Sequence, residues 1–352
     1  MHHATIAATG IAVPPFTLER DDVKQYIAKV FDLDERRSEA MMAVIDNAGI
    51  ERRHAIFPVD YIVTPRSLSQ KSDEYREHAL KLGREAAERC LEGAGLEAST
   101  IDMIITVSCT GFMIPSLDAC LINSMGFRED VRRLPITELG CAAGAMALSR
   151  AADFVQAFPD KTVLVVSVEL ATQTFQRGDL SQANLISCVL FGDGAAAAVV
   201  TGRPAAARPR IVNSETYTFP NSLDAMGFEL RDSGFHIQLS KDVPQIVRDR
   251  IRSLVDRFLE RNGLAVGDVT AFVLHPGGQK LLRAIEDQLG LCRCDTELSW
   301  DVLRRYGNLS SATILFILHE WLTRRTVESA TYGLAAAFGP GFSAELLLLQ
   351  WP

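Results

Sequence analysis

The chain has 352 residues, 47% hydrophobic and 23% charged, enough to bury one large core or two packed halves. A formal net charge of −8 with no long Lys/Arg block argues against a nucleic-acid partner. The start, MHHATIAATGIAVPP, lacks a basic segment followed by a long apolar one, and no run approaches the roughly 20 apolar residues of a spanning helix, so a cytoplasmic protein with no membrane span is expected.

In chain order, residues 16–76 read as an added helical region covering one face. A helix is expected over 78–94, a buried strand over 101–108 (IDMIITVS), a helix over 140–157, then strands over 162–168 and 195–200. TGRPAAARPRIV (201–212), rich in Pro and Arg, is the expected junction between an N-terminal half, 1–205, and a C-terminal half, 206–352. Beyond it come a helix over 244–262, with Asp242 as cap and Pro244 in its first turn, a strand over 269–274, helices over 279–289 and 308–325, and a strand over 344–349. Strands and helices alternate and the strands are almost continuously apolar, which predicts an α/β fold with sheets covered on both faces.

Seven cysteines, an odd number scattered through apolar segments, read as reduced buried thiols rather than a disulfide frame. Cys292-Arg293-Cys294 has the wrong spacing for a common zinc knuckle, and the seven histidines form no H-E-x-x-H or H-x-x-x-H face, so no metal or other cofactor is expected.

Two segments look like copies of each other. HALKLGREAAERCLEGAGLEASTIDMIITVSCTG from His78, followed by LGCAAGAMALSR from Leu139, parallels PQIVRDRIRSLVDRFLERNGLAVGDVTAFVLHPGG from Pro244, followed by YGNLSSATILFI from Tyr306. Gly95 falls against Gly263 (263 − 95 = 168), Cys109 against His275 (275 − 109 = 166) and Cys141 against Asn308 (308 − 141 = 167). A duplicated half brings both sets of strand ends to one pseudo-twofold axis, where Cys141, His275 and Asn308 are expected to converge.

Each of the three has an ordinary structural explanation as well. Cys141, in LGCAAGA, is expected at a helix start, where the helix dipole lowers a thiol pKa; it is equally a buried cysteine on a small-residue packing face. His275 ends a strand before Pro276-Gly277-Gly278 and points into a cleft or caps the core. Asn308 opens a helix and is a natural N-cap. Together they suit thioester chemistry: a Cys141 thiolate paired with a His275 imidazolium attacks an acyl thioester, and imidazole and amide donors then stabilise the enolate left when a second thioester loses CO2.

The chain resembles the type III polyketide synthases of the thiolase superfamily, in their bacterial form. The resemblance rests on LGCAAGA around Cys141, LFGDGAAA at 190–197, GFH and LSKDVP within 234–244, HPGG at 275–278, YGNLSSA at 306–312 and FGPGF at 338–342. It implies a five-layered αβαβα fold made of two duplicated halves, a homodimer, and iterative condensation of malonyl-CoA onto an acyl-CoA starter. By the same resemblance Cys141 carries the growing chain while His275 and Asn308 bind the thioester carbonyls. Phe191 and Phe235 match two phenylalanines at the mouth of the reaction cavity, and Arg52 and Arg53 fall where basic side chains meet CoA phosphates. Cys109, Thr110, Ile114, Ala171, Thr174 and Ser310 correspond to positions lining the cavity or facing the dimer neighbour. Asp193 and the FGPG loop are expected to shape the site, with Gly339 and Gly341 supplying backbone freedom.

The implied product is an alkylpyrone, an alkylresorcinol or a small phenolic ring. Malonyl-primed synthases of the phloroglucinol or tetrahydroxynaphthalene type are the alternative, as is a ketoacyl synthase III, although that family carries an asparagine after its histidine where this chain has Pro276-Gly277-Gly278. A duplicated scaffold that binds acyl-CoA without turnover is a further alternative, and it has no need of a thiol, an imidazole and an amide together.

Overall fold

A computed structural model describes residues 4–205, 207–325 and 330–351. Ala206, at the expected junction, and His2 and His3 lie outside the described residues. Nine strands form one sheet in the order Val269–Leu274, Tyr332–Gly339, Ser343–Gln350, Arg210–Thr218, Ala4–Ala12, Asp193–Thr201, Thr162–Leu170, Met103–Val107, Arg132–Ile136. The sheet has a narrow seam. Ala4–Ala12 pairs along its length with Asp193–Thr201, but meets Arg210–Thr218 only through Ala4 with Ile211 and Thr5 with Arg210. Either side of the seam the strands repeat one order, which is the duplication seen in the sequence.

Three hydrophobic cores separate five layers. The middle core packs the helices Ala143–Ala157 and Thr313–Arg324 between the two halves of the sheet. One outer core lies under the helices Leu68–Ala94 and Leu117–Met125, the other under Val243–Glu260 and Gln279–Leu289. The strands Thr162–Leu170 and Asp193–Thr201 are buried at every position, in keeping with their largely apolar sequences.

The expected helix over 78–94 begins ten residues earlier, at Leu68. Ser67 and Gln70 form a reciprocal capping box, in which the Gln70 amide donates to Ser67 Oγ at 3.1 Å and the Ser67 amide to Gln70 Oε1 at 2.9 Å. The added region before it holds the helices Arg20–Val30, Glu35–Asp46 and Val59–Ile62 and a small hairpin of Phe16–Glu19 with Arg52–Ala55. Asp242 stands at the expected cap position, but its side chain makes no capping bond. Ala4–Ala12 is a central strand that its terminal position disguised. Cys292 and Cys294 are joined as a disulfide, which departs from the all-thiol expectation, while the other five cysteines are free. Among the described residues no helix is long and apolar enough to cross a membrane.

The backbone corrects one equivalence. A 3-10 turn precedes each middle helix, Gly140–Ala142 in one half and Ser310–Ala312 in the other. Gly140 and Ser310 share a positive φ of 47° and 49°, and Ala142 and Ala312 share φ −74° and ψ −23°. The spacing at the helix starts is therefore 170 (310 − 140), so Cys141 is matched by Ser311 and not by Asn308. Asn308 stands three residues before Ser311, in the segment leading into the turn.

Candidate active site

Cys141 sits in the turn Gly140–Ala142, at the crossing of the two middle helices. A Cβ on Gly144 would lie 2.1 Å from the Ser311 carbonyl oxygen, so the small residues after Cys141 serve close helix approach. The FGPG loop closes on the same turn. A Cβ on Gly339 would stand 2.3 Å from the Leu139 carbonyl oxygen and 2.7 Å from the Ala142 nitrogen, and one on Gly140 would stand 2.5 Å from Pro340 Cδ. Gly341 does use a positive φ, 72°, as expected; Gly339 is required for space.

Cys141 Sγ lies 3.4 Å from Ser310 Oγ, and Cys109 Sγ lies 3.3 Å from the same hydroxyl. One serine from the second half thus bridges two thiols from the first. Asn308 is held at both ends of its amide: Nδ2 donates to the Gly277 carbonyl at 2.9 Å, and Oδ1 accepts from the Ser310 amide at 2.7 Å. Asn308 is not the N-cap, a place taken by Leu309 for the 3-10 turn and by Ala312 for the helix; its Oδ1 closes a local turn onto Ser310, and its Nδ2 keeps a second N–H beside Cys141. Through Gly277 the asparagine also ties down the turn that follows His275. His275 is fully buried, its amide donates to the Ala336 carbonyl at 2.9 Å, and its ring Nδ1 has no hydrogen-bond partner among the described residues.

Burial dominates the electrostatics. It pushes the Cys141 thiol up to about 12, against hydrogen bonds from Ser310 and Asn308 that lower it, and it holds the His275 imidazole down at about 3. Both groups rest neutral. This revises the expectation that the helix dipole alone gives a thiolate beside an imidazolium: a 3-10 turn intervenes before the helix, and enclosure outweighs the dipole. Cys141's hydroxyl partner is Ser310.

The sequence reading missed Glu169, the one charge in the apolar strand TVLVVSVEL and fully buried. It accepts from the Cys109 amide at 3.1 Å, from Thr110 Oγ1 at 2.8 Å and, through a very short bond, from Ser311 Oγ. Burial raises its pKa. A carboxylate inside an otherwise uncharged, largely apolar strand was the available signal. Thr110 does lie at the site, but its hydroxyl is spent on Glu169 and on the Leu170 amide.

Ala171 and Thr174 form the 3-10 turn that follows this strand, closed by Thr174 Oγ1 donating to the Ala171 carbonyl at 2.8 Å. Phe191 is bridged by its backbone to Asn308. Phe235 lies on the hairpin Met226–Arg231 with Gly234–Leu239, in edge contact with Phe228 at 5.8 Å, and its carbonyl is held by Gln176. Ile114, before Pro115, is 76% exposed and Phe112 60%, so that loop faces outward rather than into its own cavity.

Arg53 is corrected. It is buried, and its guanidinium donates to the carbonyls of Cys188 at 2.6 Å and Phe191 at 2.8 Å. It therefore braces the Phe191 loop from inside and has no reach to a CoA phosphate, whereas Arg52, on the opposite face of the same short strand, is partly exposed. Asp193, beside Arg53, accepts from the Thr172 amide and hydroxyl and from the Ile56 amide, so it fixes loop geometry as expected; burial raises it to about 6.

Known proteins resemble this chain along nearly its whole length. The model of the chalcone and stilbene synthases, N-terminal domain, matches residues 1–204, and that of the C-terminal domain matches 210–351. A 1,3,6,8-tetrahydroxynaphthalene synthase of Streptomyces peucetius subsp. caesius is 36% identical, covering 99% of this chain and 93% of the relative. A phloroglucinol synthase of Pseudomonas fluorescens is 34% identical over 99% of each. The crystal structure of the 1,3,6,8-tetrahydroxynaphthalene synthase of Streptomyces coelicolor, a bacterial type III polyketide synthase, superposes with a TM-score of 0.95 at 32% identity, covering 99% of both chains. The five layers around a buried cysteine are thus those of the thiolase fold, and the chain belongs to the chalcone and stilbene synthase family, the type III polyketide synthases.

Proposed function

We propose that Cys141 takes an acyl group from an acyl-CoA starter and that His275 and Asn308 hold the carbonyl of malonyl-CoA as it decarboxylates, so that the enolate attacks the Cys141 thioester. The observation that carries this reading is the meeting of Cys141, Ser310 and Asn308, drawn from both halves, around one buried thiol. The starter carbonyl polarises toward the donors, Cys141 Sγ forms the new C–S bond as CoA thiolate leaves, and the thiol proton passes to His275 or to the leaving sulfur. Loss of CO2 then generates the carbanion without a base, and the second Asn308 N–H and the imidazole N–H stabilise its oxygen. Repetition and ring closure yield an alkylpyrone, an alkylresorcinol or a phenol. No cofactor beyond the CoA thioesters is needed, and the reaction is assigned to the cytoplasm.

Phe191 and Phe235 line the approach to the thiol, and Arg52 is the remaining candidate for a CoA phosphate. We also assign the chain a homodimer. Exposed Phe112 and Ile114 are the apolar contact, with Ile114 facing the partner's cavity. A malonyl-primed reaction is the second reading, favoured by the names of the tetrahydroxynaphthalene and phloroglucinol synthases that the chain is similar to.

Incubation of the purified protein with malonyl-CoA, alone and with acetyl- to hexadecanoyl-CoA, followed by mass spectrometry of products and of Cys141, tests the proposal. Cys141 acylation with CO2 release is expected. Product from malonyl-CoA alone supports the second reading, and neither acylation nor CO2 with any starter refutes both. Ile114→Asp is expected to convert the dimer to monomer by light scattering.

A further inference from the structure

The tip of the hairpin that carries Phe235 holds a second set of reactive side chains. Its strands, Met226–Arg231 and Gly234–Leu239, are joined through Asp232 and Ser233, and Gly234 takes the φ of 116° that so tight a connection needs. Ser233 is exposed at the tip, and its Oγ lies 2.7 Å from His236 Nε2. The other ring nitrogen, Nδ1, lies 3.4 Å from Asp179 Oδ2, on the loop before the helix Gln182–Leu190. A hydroxyl, an imidazole and a carboxylate therefore stand in line, with the serine and the acid at opposite nitrogens of one ring.

None of the three belongs to the Cys141 site, and each is held from behind. Gln176 Nε2 donates to the Ser233 carbonyl at 3.2 Å and to the Phe235 carbonyl at 3.1 Å, which fixes the tip on either side of Gly234. Asp179 Oδ1 accepts from the Ser181 amide at 2.8 Å, and the Asp179 carbonyl accepts from Asn184 Nδ2 at 2.7 Å, so Oδ2 is left for the ring. The His236 side chain is 13% exposed, and its buried Nδ1 has no aligned hydrogen bond among the described residues although Asp179 stands beside it. Contacts between a base and its orienting acid are commonly loose without substrate and tighten with it. With the ring proton on Nδ1, facing Asp179, Nε2 accepts from the Ser233 hydroxyl.

The surroundings define what such a serine can attack. Leu180, next to Asp179, and Leu68, whose Cδ1 would lie 3.8 Å from a Cβ on Gly234, are each 39% exposed and give the tip an apolar rim. An oxyanion formed at exposed Ser233 is met by water rather than by a preorganised donor. That suits thioesters and activated esters, whose carbonyls need least help, and leaves amides out of reach.

We propose that Ser233, His236 and Asp179 form a second acyl-transfer site that hydrolyses acyl thioesters and activated esters, with Ser233 as nucleophile, His236 as its base and Asp179 as the residue that positions the ring. Ser233 Oγ bonds to the acyl carbon as the C–S bond breaks, and the hydroxyl proton passes to His236 Nε2 and on to the departing sulfur. Water then gives a proton to the same nitrogen, its oxygen displaces the serine, the serine recovers that proton and the carboxylic acid is released. That the thioester is an acyl-CoA passing Phe235 rests on the synthase reading above; the hydrolytic site does not.

Hydrolysis of p-nitrophenyl butyrate and of octanoyl-CoA by the Cys141→Ala protein, in which the synthase thiol is gone, tests the proposal through release of nitrophenolate and of CoA thiol. Ser233→Ala and His236→Gln, each made in that protein, are expected to lower kcat/KM by roughly a hundredfold. Asp179→Asn is expected to lower kcat with KM unchanged, the signature of a misdirected ring. A fluorophosphonate is expected to label Ser233 in the Cys141→Ala protein, located by peptide mass spectrometry, and not after His236→Gln. Ser233 lies at an exposed tip, and the label is read with that serine in place, so the outcome does not hang on the folding of a variant. Rates no greater than in buffer alone, or hydrolysis that survives Ser233→Ala, overturn the proposal. CO2 release from malonyl-CoA by the unmodified protein is read separately: its absence sinks the synthase reading and leaves the hydrolytic result standing.

Discussion

Asn308 is asked to do two things at once, and its atoms divide the work. Oδ1 accepts from Ser310 and so holds the hydroxyl that touches Cys141, while Nδ2 anchors the turn after His275 and has a second N–H, the one that the proposed mechanism gives to substrate. Cys141→Ala is therefore expected to lose acylation and product by at least about a thousandfold yet to retain decarboxylation of malonyl-CoA, because both oxyanion donors remain. Product mass spectrometry and CO2 release check the two halves of that statement. Asn308→Ala should lower decarboxylation by roughly a hundredfold or more. It should also destabilise the fold by about 1–3 kcal/mol, since the buried Ser310 amide loses its acceptor. Decarboxylation lost as completely in Cys141→Ala as in Asn308→Ala would contradict this division.

At the level of elements, the catalytic turn is clamped between the opposite middle helix and the FGPG loop. Gly339→Ala places a methyl carbon against the Leu139 carbonyl and the Ala142 amide. Neither is the movable end of a side chain, so a stability loss of roughly 1–3 kcal/mol by urea denaturation is expected, together with slower Cys141 acylation. Ser67→Ala removes the cap of the long outer helix, which should cost about 1 kcal/mol and leave acylation intact. If the two variants lose acylation equally, the site depends on global stability and not on this turn. The elements that were legible in the sequence are those with a strong local signature, such as Gln279–Leu289, which begins and ends where its apolar period does. Those that were not legible depend on remote partners. Arg132–Ile136 opens with two arginines, contains a proline and is partly exposed, and it is a strand only because Met103–Val107 offers a parallel edge.

For the whole molecule, buried titratable groups couple stability to pH. His275 titrates near 3 when folded against an ordinary value of 6.5, so the native state takes up its proton later than the unfolded chain. Its contribution is intact above about 6.5 and is lost progressively as pH falls toward 3, by up to a few kcal/mol. Asp193 acts in the opposite sense: raised from 3.8 to about 6, it favours the fold most below 3.8, and that advantage disappears as pH rises through 6. His275→Gln is expected to flatten the acid limb of a stability-against-pH curve measured by denaturant unfolding. An unchanged slope between pH 6.5 and 3 would mean that the ring is not held neutral.

The sequence by itself determined the α/β class, the duplication, the absence of a membrane-spanning helix and the three residues to examine, because periodicity, repeats and ordered motifs are properties of the chain alone. Tertiary structure decided what those residues touch. It moved the partner of Cys141 from Asn308 to Ser311, since a register of three residues is fixed by matched backbone angles and not by letters. It turned Arg53 inward, because on a short strand alternate side chains face opposite ways and only packing chooses which faces solvent. It also brought the first helix against Phe191, more than a hundred residues away, and so enclosed a space that no local pattern records.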